Sequence, residues 1–172
     1  MQVRIGLVLC TFSAALLGAC ATPAGGPSAS ADLQARSGSA VSGKVSFSEA
    51  GGKLRVEAQV AGLTPGEHGF HIHEAGDCSA PDATSAKGHF NPAGKAHGHH
   101  AGNERHGGDM PNLLANAAGE ARFSGEISGL SLSGASGVVG RSVVVHADPD
   151  DYKSQPAGNS GKRIACGVIV AR

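Results

Sequence analysis

The chain has 172 residues, of which 40% are hydrophobic, and this size and composition suit one domain with a single apolar core. Only 3% of the residues are aromatic and none is tryptophan, so the chain lacks the stacking side chains that single-stranded nucleic acids require. Fourteen basic residues balance 14 acidic ones, which leaves no overall positive field. We therefore expect no nucleic-acid partner.

The first 19 residues have the pattern of a cleaved export signal. A basic start at Arg4 is followed by an apolar stretch, residues 5–17, that is too short to span a bilayer. The next residues, Leu17-Gly18-Ala19-Cys20, resemble the bacterial lipobox, in which the cysteine after the cleavage site is lipidated. This resemblance predicts a protein of the bacterial periplasm or cell envelope, anchored to the outer membrane only through a lipid on Cys20. In the alternative, an ordinary signal peptide is cleaved and Cys20 has no role.

Residues 20–39 are predicted to form a flexible tether after the lipidated cysteine. They are rich in alanine, glycine, serine and proline, and they show no apolar period. The folded domain is then expected to comprise residues 40–172.

From residue 40 onward, short runs of alternating apolar and polar residues are separated by glycines, which predicts β-strands. The predicted strands are residues 41–48, 54–60, 67–74, 121–127, 142–146 and 163–171. Gly51 and Gly52 lie between the first two runs and predict a hairpin turn. No segment shows a convincing helical stripe. We therefore predict an all-β Greek-key barrel or sandwich of about eight strands.

Two loops interrupt this pattern. The first, residues 75–118, is far longer than the roughly 12 to 15 residues that a loop without secondary structure normally reaches, so it needs another source of order. It contains Cys78 and several histidines, which suggests a disulfide bond and a metal ion. Outside the leader, Cys78 and Cys166 are the only cysteines, and in an exported protein they most simply form one disulfide. Two free buried thiols are the alternative. The second, shorter loop is residues 147–162.

Nine histidines in the chain are a high proportion, and six of them fall into two sets of candidate metal ligands. His71 and His73 alternate in a strand, so both rings project from one face while Phe70 and Ile72 point to the other. Four imidazoles suit a tetragonal copper(II) site: His71, His73, His89 and His146. Three imidazoles and one carboxylate suit tetrahedral zinc: His89, His97, His106 and Asp109. Since His89 belongs to both sets, it is expected to bridge two ions.

The motifs that carry these residues resemble those of copper/zinc superoxide dismutases. They are Gly-Phe-His-Ile-His-Glu at 69–74, Gly-His-Phe-Asn-Pro at 88–92, Val-Val-His at 144–146 and Gly-Asn-Ser-Gly-Lys-Arg-Ile-Ala-Cys-Gly-Val-Ile at 158–169. The spacing of His97, His106 and Asp109 fits the same family. The resemblance extends from about residue 40 to residue 170, and the position of Cys78 resembles the bacterial periplasmic branch.

This resemblance implies an enzyme that converts two superoxide ions and two protons to dioxygen and hydrogen peroxide. It implies one copper and one zinc ion per subunit, with copper cycling between Cu(II) and Cu(I) on its four histidines. The His89 bridge would open when copper is reduced and deliver a proton to the product. Arg163 would guide the anion, Asp150 would link a copper histidine to a zinc histidine, and Cys78 and Cys166 would form the family's disulfide. The resemblance leaves a homodimer and a monomer both open.

Each of these roles has a simpler alternative. Asp150 would otherwise be a turn carboxylate like its neighbour Asp151, and Arg163 a solvated strand residue. His68 is interpreted as a structural residue that braces the backbone. His99 and His100 are expected to lie on a solvated loop, or else to provide a weak extra copper-capturing site.

Two other functions use the same ligands. One is a non-catalytic lipoprotein of the envelope that buffers copper and zinc, and the other is an inert domain of this fold. Metal storage has no use for Arg163 or for an ordered carboxylate at Asp150. An inert domain would be expected to have lost at least one ligand, and none is missing.

Overall fold

A computed structural model describes residues 26–172 together with Gln2, so the predicted signal peptide and Cys20 lie outside the described residues. Within this part the chain forms ten β-strands and one turn of 3-10 helix at Thr84–Ala86, which confirms the all-β prediction. The strands are β1 (Ser28–Ala35), β2 (Ser42–Ala50), β3 (Lys53–Ala61), β4 (Gly66–His68), β5 (Phe70–His73), β6 (Leu113–Ala115), β7 (Ala121–Ile127), β8 (Ser142–His146), β9 (Arg163–Val168) and β10 (Val170–Ala171).

The strands form one antiparallel sheet that is nearly closed into a barrel. Their order is β4-β6-β7-β3-β2-β1-β9-β8-β5, and β10 pairs with β1. The pairs β3–β7 and β1–β9 join strands that are distant in sequence, as Greek-key connections require. The first and last strands in this order, β4 and β5, are adjacent in the chain, so the two edges of the sheet are brought near each other.

The predicted strand over residues 67–74 is in fact two strands, divided at Gly69. β4 pairs with β6, whereas β5 pairs with β8 at the other end of the sheet. A Cβ atom at Gly69 would lie 2.8 Å from the Oγ atom of Ser160, which is too close for any other residue. Glycine therefore lets the chain pass from one edge of the sheet to the other.

The apolar core fills the barrel, and it follows from the alternation along the strands. In β3 every second residue is buried, and the buried ones include Leu54 and Val56. β5 and β8 are buried on both faces. Phe70 and Ile72 of β5 belong to the core, which confirms the prediction that His71 and His73, which alternate with them, face away from it.

One prediction was wrong. Residues 28–35 are not a flexible tether, because they form β1 and pair with β2, β9 and β10. Ala29, Ala31 and Leu33 are buried in the core on alternate positions. The period of two is present in the sequence, but small alanine and serine side chains give it the composition of a linker. The domain therefore begins before residue 40.

The residues after β1 are also held in place rather than free. The Oγ atom of Ser37 donates a hydrogen bond of 2.8 Å to the carbonyl oxygen of Arg163, and Ser39 donates one of 2.6 Å to that of Ile164. The Nε atom of Arg36 donates to the carbonyl oxygen of Cys78 over 2.8 Å. This segment joins the start of β9 to the long loop.

The long loop ends earlier than predicted, because a short strand begins at Leu113. β6 lies within residues 75–118, where no strand was expected, because its three residues are too few to show a period. The predicted closing strand, residues 163–171, is divided into β9 and β10. Among the described residues, no helix has the length and apolar character needed to cross a bilayer.

The place of β1 in the barrel can be tested with neighbouring substitutions. Leu33→Ala should lower the free energy of unfolding by about 2–5 kcal/mol, since Leu33 is 4% exposed and a cavity would remain. Gln34→Ala, on the exposed face of the same strand, should change it by less than about 0.5 kcal/mol. Urea unfolding measures both. Equal, negligible effects would mean that this segment is a tether after all.

Candidate metal centre

Two neighbouring strands bring three of the candidate ligands together. β5 carries His71 and His73, and it pairs with β8, which ends at His146. A β-bulge between Val145 and His146 shifts the register, so that His146 lies opposite Arg163 of β9. A bulge re-aims the side chain that follows it, and here it places a histidine and an arginine side by side.

The remaining ligands come from the long loop, which is attached to β5 by backbone hydrogen bonds. The N–H groups of Ile72 and Phe90 donate to the carbonyl oxygens of Gly108 and Ile72 over 3.0 Å and 2.8 Å. As a result His89 lies opposite His73, and Asp109 lies opposite His71. The loop thus forms the second half of a site whose first half is on the barrel.

The candidate ligands form two buried groups that share one residue. Within each group the possible ligand atoms all lie within 4.8 Å of one another. The first group is His71, His73, His89 and His146, and the second is His89, His97, His106 and Asp109. These are the two sets that the sequence predicted, and His89 belongs to both.

In the first group, each ring has one nitrogen held by the protein and one that is not. The Nε2 atom of His71 lies 2.8 Å from Asp150, the Nδ1 atom of His73 lies 2.8 Å from the carbonyl oxygen of Lys87, and the Nδ1 atom of His146 lies 3.4 Å from that of Gly161. The other nitrogens are buried without a hydrogen-bond partner: His71 Nδ1, His73 Nε2, His89 Nε2 and His146 Nε2. A carbonyl oxygen accepts only from an N–H, so the opposite nitrogen of such a ring keeps its lone pair for a metal ion.

His89 connects the two groups through its two nitrogens. Its Nε2 atom is one of the unpartnered atoms of the first group, whereas its Nδ1 atom lies 2.8 Å from the Oδ1 atom of Asp109. The same carboxylate oxygen lies 3.0 Å from the Nδ1 atom of His97. The Nδ1 atom of His106 is also buried and has no hydrogen-bond partner. In the second group, the Nδ1 atoms of His89, His97 and His106 therefore lie together beside the carboxylate of Asp109.

Burial keeps the rings of the first group neutral. It lowers the pKa of His71, although the hydrogen bond to Asp150 opposes this, and it lowers the pKa of His89 to about 4. Burial, together with the neighbouring histidines and Arg163, also holds the pKa of His73 and of His146 well below the usual range. All four rings can therefore offer a lone pair at neutral pH.

The second group has a different charge balance. Burial by itself lowers the pKa of His97, but its hydrogen bonds to Asp109 and Asp150 outweigh burial and raise it to about 9. Burial raises the pKa of Asp109, whereas its close contacts with His106, His89 and His97 lower it by more. Without a cation, protonated His97 donates one N–H to Asp109 and the other to Asp150, and a metal ion bound at Nδ1 would replace the proton there.

Asp150 lies between the two groups. Its Oδ2 atom is 2.8 Å from the Nε2 atom of His71, and its Oδ1 atom is 3.0 Å from the Nε2 atom of His97. Asp151 instead accepts hydrogen bonds from the N–H groups of Lys153 and Ser154 at the surface. Of the two adjacent carboxylates, Asp150 therefore has the linking position, and Asp151 is the turn residue.

The link through Asp150 requires a glycine in the second loop. Gly158 has a φ of +64°, and a Cβ atom at this position would overlap the Oδ1 atom of Asp150 and lie 2.8 Å from the Nε2 atom of His97. The backbone of the second loop can therefore cover these two side chains only at a residue without a side chain.

Arg163 lies at the edge of the first group. With His146, Asn159 and Ser160 it lines a cavity of about 200 Å³. Its Nη1 atom donates a hydrogen bond of 2.7 Å to the carbonyl oxygen of Ala83. Burial lowers the pKa of Arg163, but a guanidinium remains charged at physiological pH. The arginine is thus a fixed positive charge beside His146 rather than a solvated strand residue.

Cys78 and Cys166 form a disulfide bond, which excludes two free thiols. Cys166 lies in β9, so the bond attaches the long loop to the strand that also carries Arg163. Val144, Ala83 and Ala86 pack around it in a small apolar cluster of their own. The bond and this cluster give the first part of the long loop its order.

The other histidines do not join either group. His68 is buried, and its two ring nitrogens lie 2.9 Å and 2.8 Å from the carbonyl oxygens of His146 and Thr64, which fits a structural brace. The rings of His99 and His100 lie 4.1 Å apart and pack against Tyr152. His100 is half-buried rather than solvated. Copper capture by this pair stays a prediction.

Some residues of the site were not predicted from the sequence. The carbonyl oxygens of Lys87 and Gly161 orient two rings, and backbone atoms leave no signal in a sequence. The side chain of Asn112 binds the backbone of Asp150, which lies 38 positions away. The position of Asn112, three residues after Asp109, is the only signal that could have indicated it. Cys20 lies outside the described residues.

A family model described as copper/zinc superoxide dismutase (SODC) matches residues 41–169. The chain belongs to this family. Curated relatives described as "Superoxide dismutase [Cu-Zn]" are 44% identical in Deinococcus radiodurans, over 90% of both chains, and 45% identical in Paramecium bursaria Chlorella virus 1, over 75% of this chain and 72% of the relative. "Superoxide dismutase [Cu-Zn] 2" of Aquifex aeolicus is 44% identical over 75% of this chain and 79% of that one.

A solved structure has a similar fold. It is described as "Crystal Structure Analysis of the clock protein EA4", is 39% identical, has a TM-score of 0.77, and covers 83% of this chain and 93% of its own. The chain is thus a superoxide dismutase of the copper/zinc type, and copper and zinc are its cofactors. The unpartnered ring nitrogens of His71, His73, His89, His106 and His146 fit that pair of ions, since all five residues belong to one or both of the two groups.

The disulfide can be tested without metal ions. In the metal-free protein, Cys78→Ser should lower the free energy of unfolding by roughly 2–5 kcal/mol, because the bond closes a loop of 88 residues in the unfolded chain. Urea unfolding measures this difference. Reductant should bring the wild-type protein to the stability of the variant. If the variant unfolds at the same urea concentration as the oxidised wild type, the bond has no stabilising role.

Proposed function

We propose that the first group binds copper, that the second binds zinc, and that His89 bridges the two ions. The observation that carries this proposal is the set of buried ring nitrogens without a hydrogen-bond partner, which includes both His73 and His146. Such atoms are costly to bury unless a ligand satisfies them. Five of these atoms, on His71, His73, His89, His106 and His146, belong to groups whose possible ligand atoms all lie within 4.8 Å of one another, close enough to share one ion.

The donor types distinguish the two ions. Four neutral imidazoles suit copper(II), which favours nitrogen ligands in a tetragonal arrangement. Three imidazoles and the carboxylate of Asp109 suit tetrahedral zinc, whose positive charge the carboxylate partly balances. The hydrogen bonds at the outer nitrogens of His71 and His73 fix the tautomer and the orientation of each ring.

When bound, copper would supply the redox chemistry, taking an electron from one superoxide ion and giving one to the next. Both protons come from solvent, and the chain relays one of them and supplies the geometry. The Nε2 atom of His89 can hold a proton whenever it does not bind copper, and it can then release that proton to the product. Its Nδ1 side is held beside Asp109, so the ring keeps its place while the proton moves. Over one cycle, two superoxide ions and two protons become dioxygen and hydrogen peroxide.

Arg163 is proposed to attract the substrate. The chain is formally neutral, so attraction of a small anion depends on local charge rather than on the net charge of the protein. Arg163 is the cation that shares a cavity with His146. Its guanidinium can donate hydrogen bonds to a bound anion. A protein that only buffered metal ions would have no use for such a charge at the mouth of the site.

We further propose that the enzyme acts in a bacterial envelope, held at the outer membrane by a lipid on Cys20. The lipobox-like residues 17–20 support the anchor. The disulfide between Cys78 and Cys166 supports an oxidising compartment, because structural disulfides are rare in the cytosol.

The assignment of the two ions predicts different losses in two variants. His97→Ala should remove zinc and leave copper bound, because His97 belongs only to the second group. His73→Ala should remove copper and abolish activity while zinc is retained. Native mass spectrometry after loading with both ions measures the occupancy, and each variant is the control for the other. Equal loss of both ions from both variants would show that the assignment is wrong.

The role of Arg163 predicts a change in substrate capture. Arg163→Ile should slow superoxide turnover by roughly tenfold or more and weaken its dependence on ionic strength, because a local charge no longer attracts the anion. Arg122→Ile removes one positive charge from an exposed position on β7 and should leave both unchanged. Stopped-flow decay of superoxide measures the rate. A wild-type rate and salt dependence in Arg163→Ile would place substrate attraction elsewhere.

The anchor predicts the fate of the protein in a bacterial cell. Cys20→Ala should abolish labelling by a radioactive fatty acid and release a soluble form, because stable attachment needs acyl chains. Fractionation of cells that express each form measures the distribution, and Cys10→Ala is the control within the leader. If Cys20→Ala still fractionates with membranes, Cys20 is not the anchor.

A further inference from the structure

Tyr152 has an unusual backbone conformation next to the linking carboxylate. Its φ is +59°, in the left-handed region that large side chains rarely occupy. In this conformation its N–H group donates a hydrogen bond of 2.7 Å to the Oδ1 atom of Asp150. Such strain persists only where surrounding contacts compensate for it, so the contacts of the Tyr152 side chain need an explanation.

The hydroxyl of Tyr152 is connected to the same carboxylate residue by a second route. It accepts a hydrogen bond of 2.8 Å from the N–H group of Asn112. The side chain of Asn112 in turn holds the backbone of Asp150 on both sides: its Oδ1 atom accepts from the N–H over 3.0 Å, and its Nδ2 atom donates to the carbonyl oxygen over 3.1 Å. Tyr152 and Asn112 thus fix both the backbone and the carboxylate of Asp150.

The ring of Tyr152 rests on the two histidines that belong to neither metal group. Its centroid lies 4.7 Å from that of His99 and 5.6 Å from that of His100, both in edge-to-face orientation. The two histidine rings lie on each other at 4.1 Å and 32°. They follow His97 by two and three residues, so Tyr152 also contacts the segment that carries a ligand of the second group.

We propose that Tyr152 is a positioning residue that holds Asp150 between His71 and His97, with His99 and His100 as its platform. Asp150 contacts one ring of each group, so a displacement of its carboxylate alters both groups together. The inference rests on the proposed assignment of His71 to copper and of His97 to zinc. It gives a role to His99, His100 and Tyr152 that requires no metal ion on them.

The test removes one atom from the network. Tyr152→Phe keeps the ring and its platform but leaves the N–H group of Asn112 without its acceptor. Lys153→Ala is the matched control, because Lys153 is adjacent, exposed, and has only backbone atoms in the network. His99→Ala is a second variant that removes part of the platform and leaves the hydroxyl, so the test does not depend on how well Tyr152→Phe folds.

Two measurements on protein loaded with both ions report on the two groups. Zinc release into a chelator should be about tenfold faster in Tyr152→Phe, the lower end of the effect that partners of metal ligands have, and faster to a lesser degree in His99→Ala. The electron paramagnetic resonance spectrum of copper(II) should change in Tyr152→Phe, because the ring of His71 loses its fixed partner. Lys153→Ala should match the wild type in both measurements.

The outcomes separate this inference from the proposed function. If both variants release zinc at the wild-type rate and keep the wild-type copper spectrum, the inference is overturned, even if their melting temperatures fall. A purely structural role would lower the melting temperature and leave the copper spectrum unchanged. Failure of His97→Ala to remove zinc would overturn the assignment of the ions instead, and it is measured separately.

Discussion

This structure depends on a cluster of eight buried ionisable side chains. The protein does not provide hydrogen-bond partners for all of their polar atoms. Six histidines and two aspartates meet beside the barrel, each less than a tenth exposed. Five of the histidine rings have a buried nitrogen with no hydrogen-bond partner, and each such atom costs about 1–3 kcal/mol if nothing binds it. Cations bound in the cluster would therefore stabilise it, and with it the loops that carry its ligands.

The barrel holds one half of this cluster in fixed positions. β5 and β8 are buried on both faces, so His71, His73 and His146 have little freedom to move apart. The long loop supplies the other half and is held at several separate places. These are the hydrogen bonds to β5, the disulfide to β9, and the hydrogen bonds that Arg36 and Ser37 donate to the carbonyl oxygens of Cys78 and Pro81.

Charge is distributed so that the two groups differ although they share a ring. The first group is built from neutral imidazoles, and Arg163 is a positive charge that acts on His73 and His146. The second contains Asp109, whose carboxylate can neutralise part of a divalent ion. Asp150 contacts both groups through separate oxygens, so it couples the orientation of a ring in one to that of a ring in the other. The shared ring of His89 and the shared carboxylate of Asp150 make the two groups a single centre.

The sequence by itself determined the β-class, most of the strands, the two ligand sets and the disulfide. Short stretches of sequence are enough to recognise these features. A strand shows its alternation within a few residues, and the ligands lie in short motifs of characteristic spacing. Only the tertiary structure decided that residues 28–35 are β1, because their alternation is carried mostly by small alanine and serine side chains, whose composition is that of a linker. The tertiary structure also decided which of the adjacent residues Asp150 and Asp151 links the two groups. The sequence does not distinguish them, and only Asp150 contacts His71 and His97. The carbonyl oxygens that orient the rings, and the place of Tyr152 beside Asn112, depend on contacts between segments far apart in the chain, and such contacts exist only after folding.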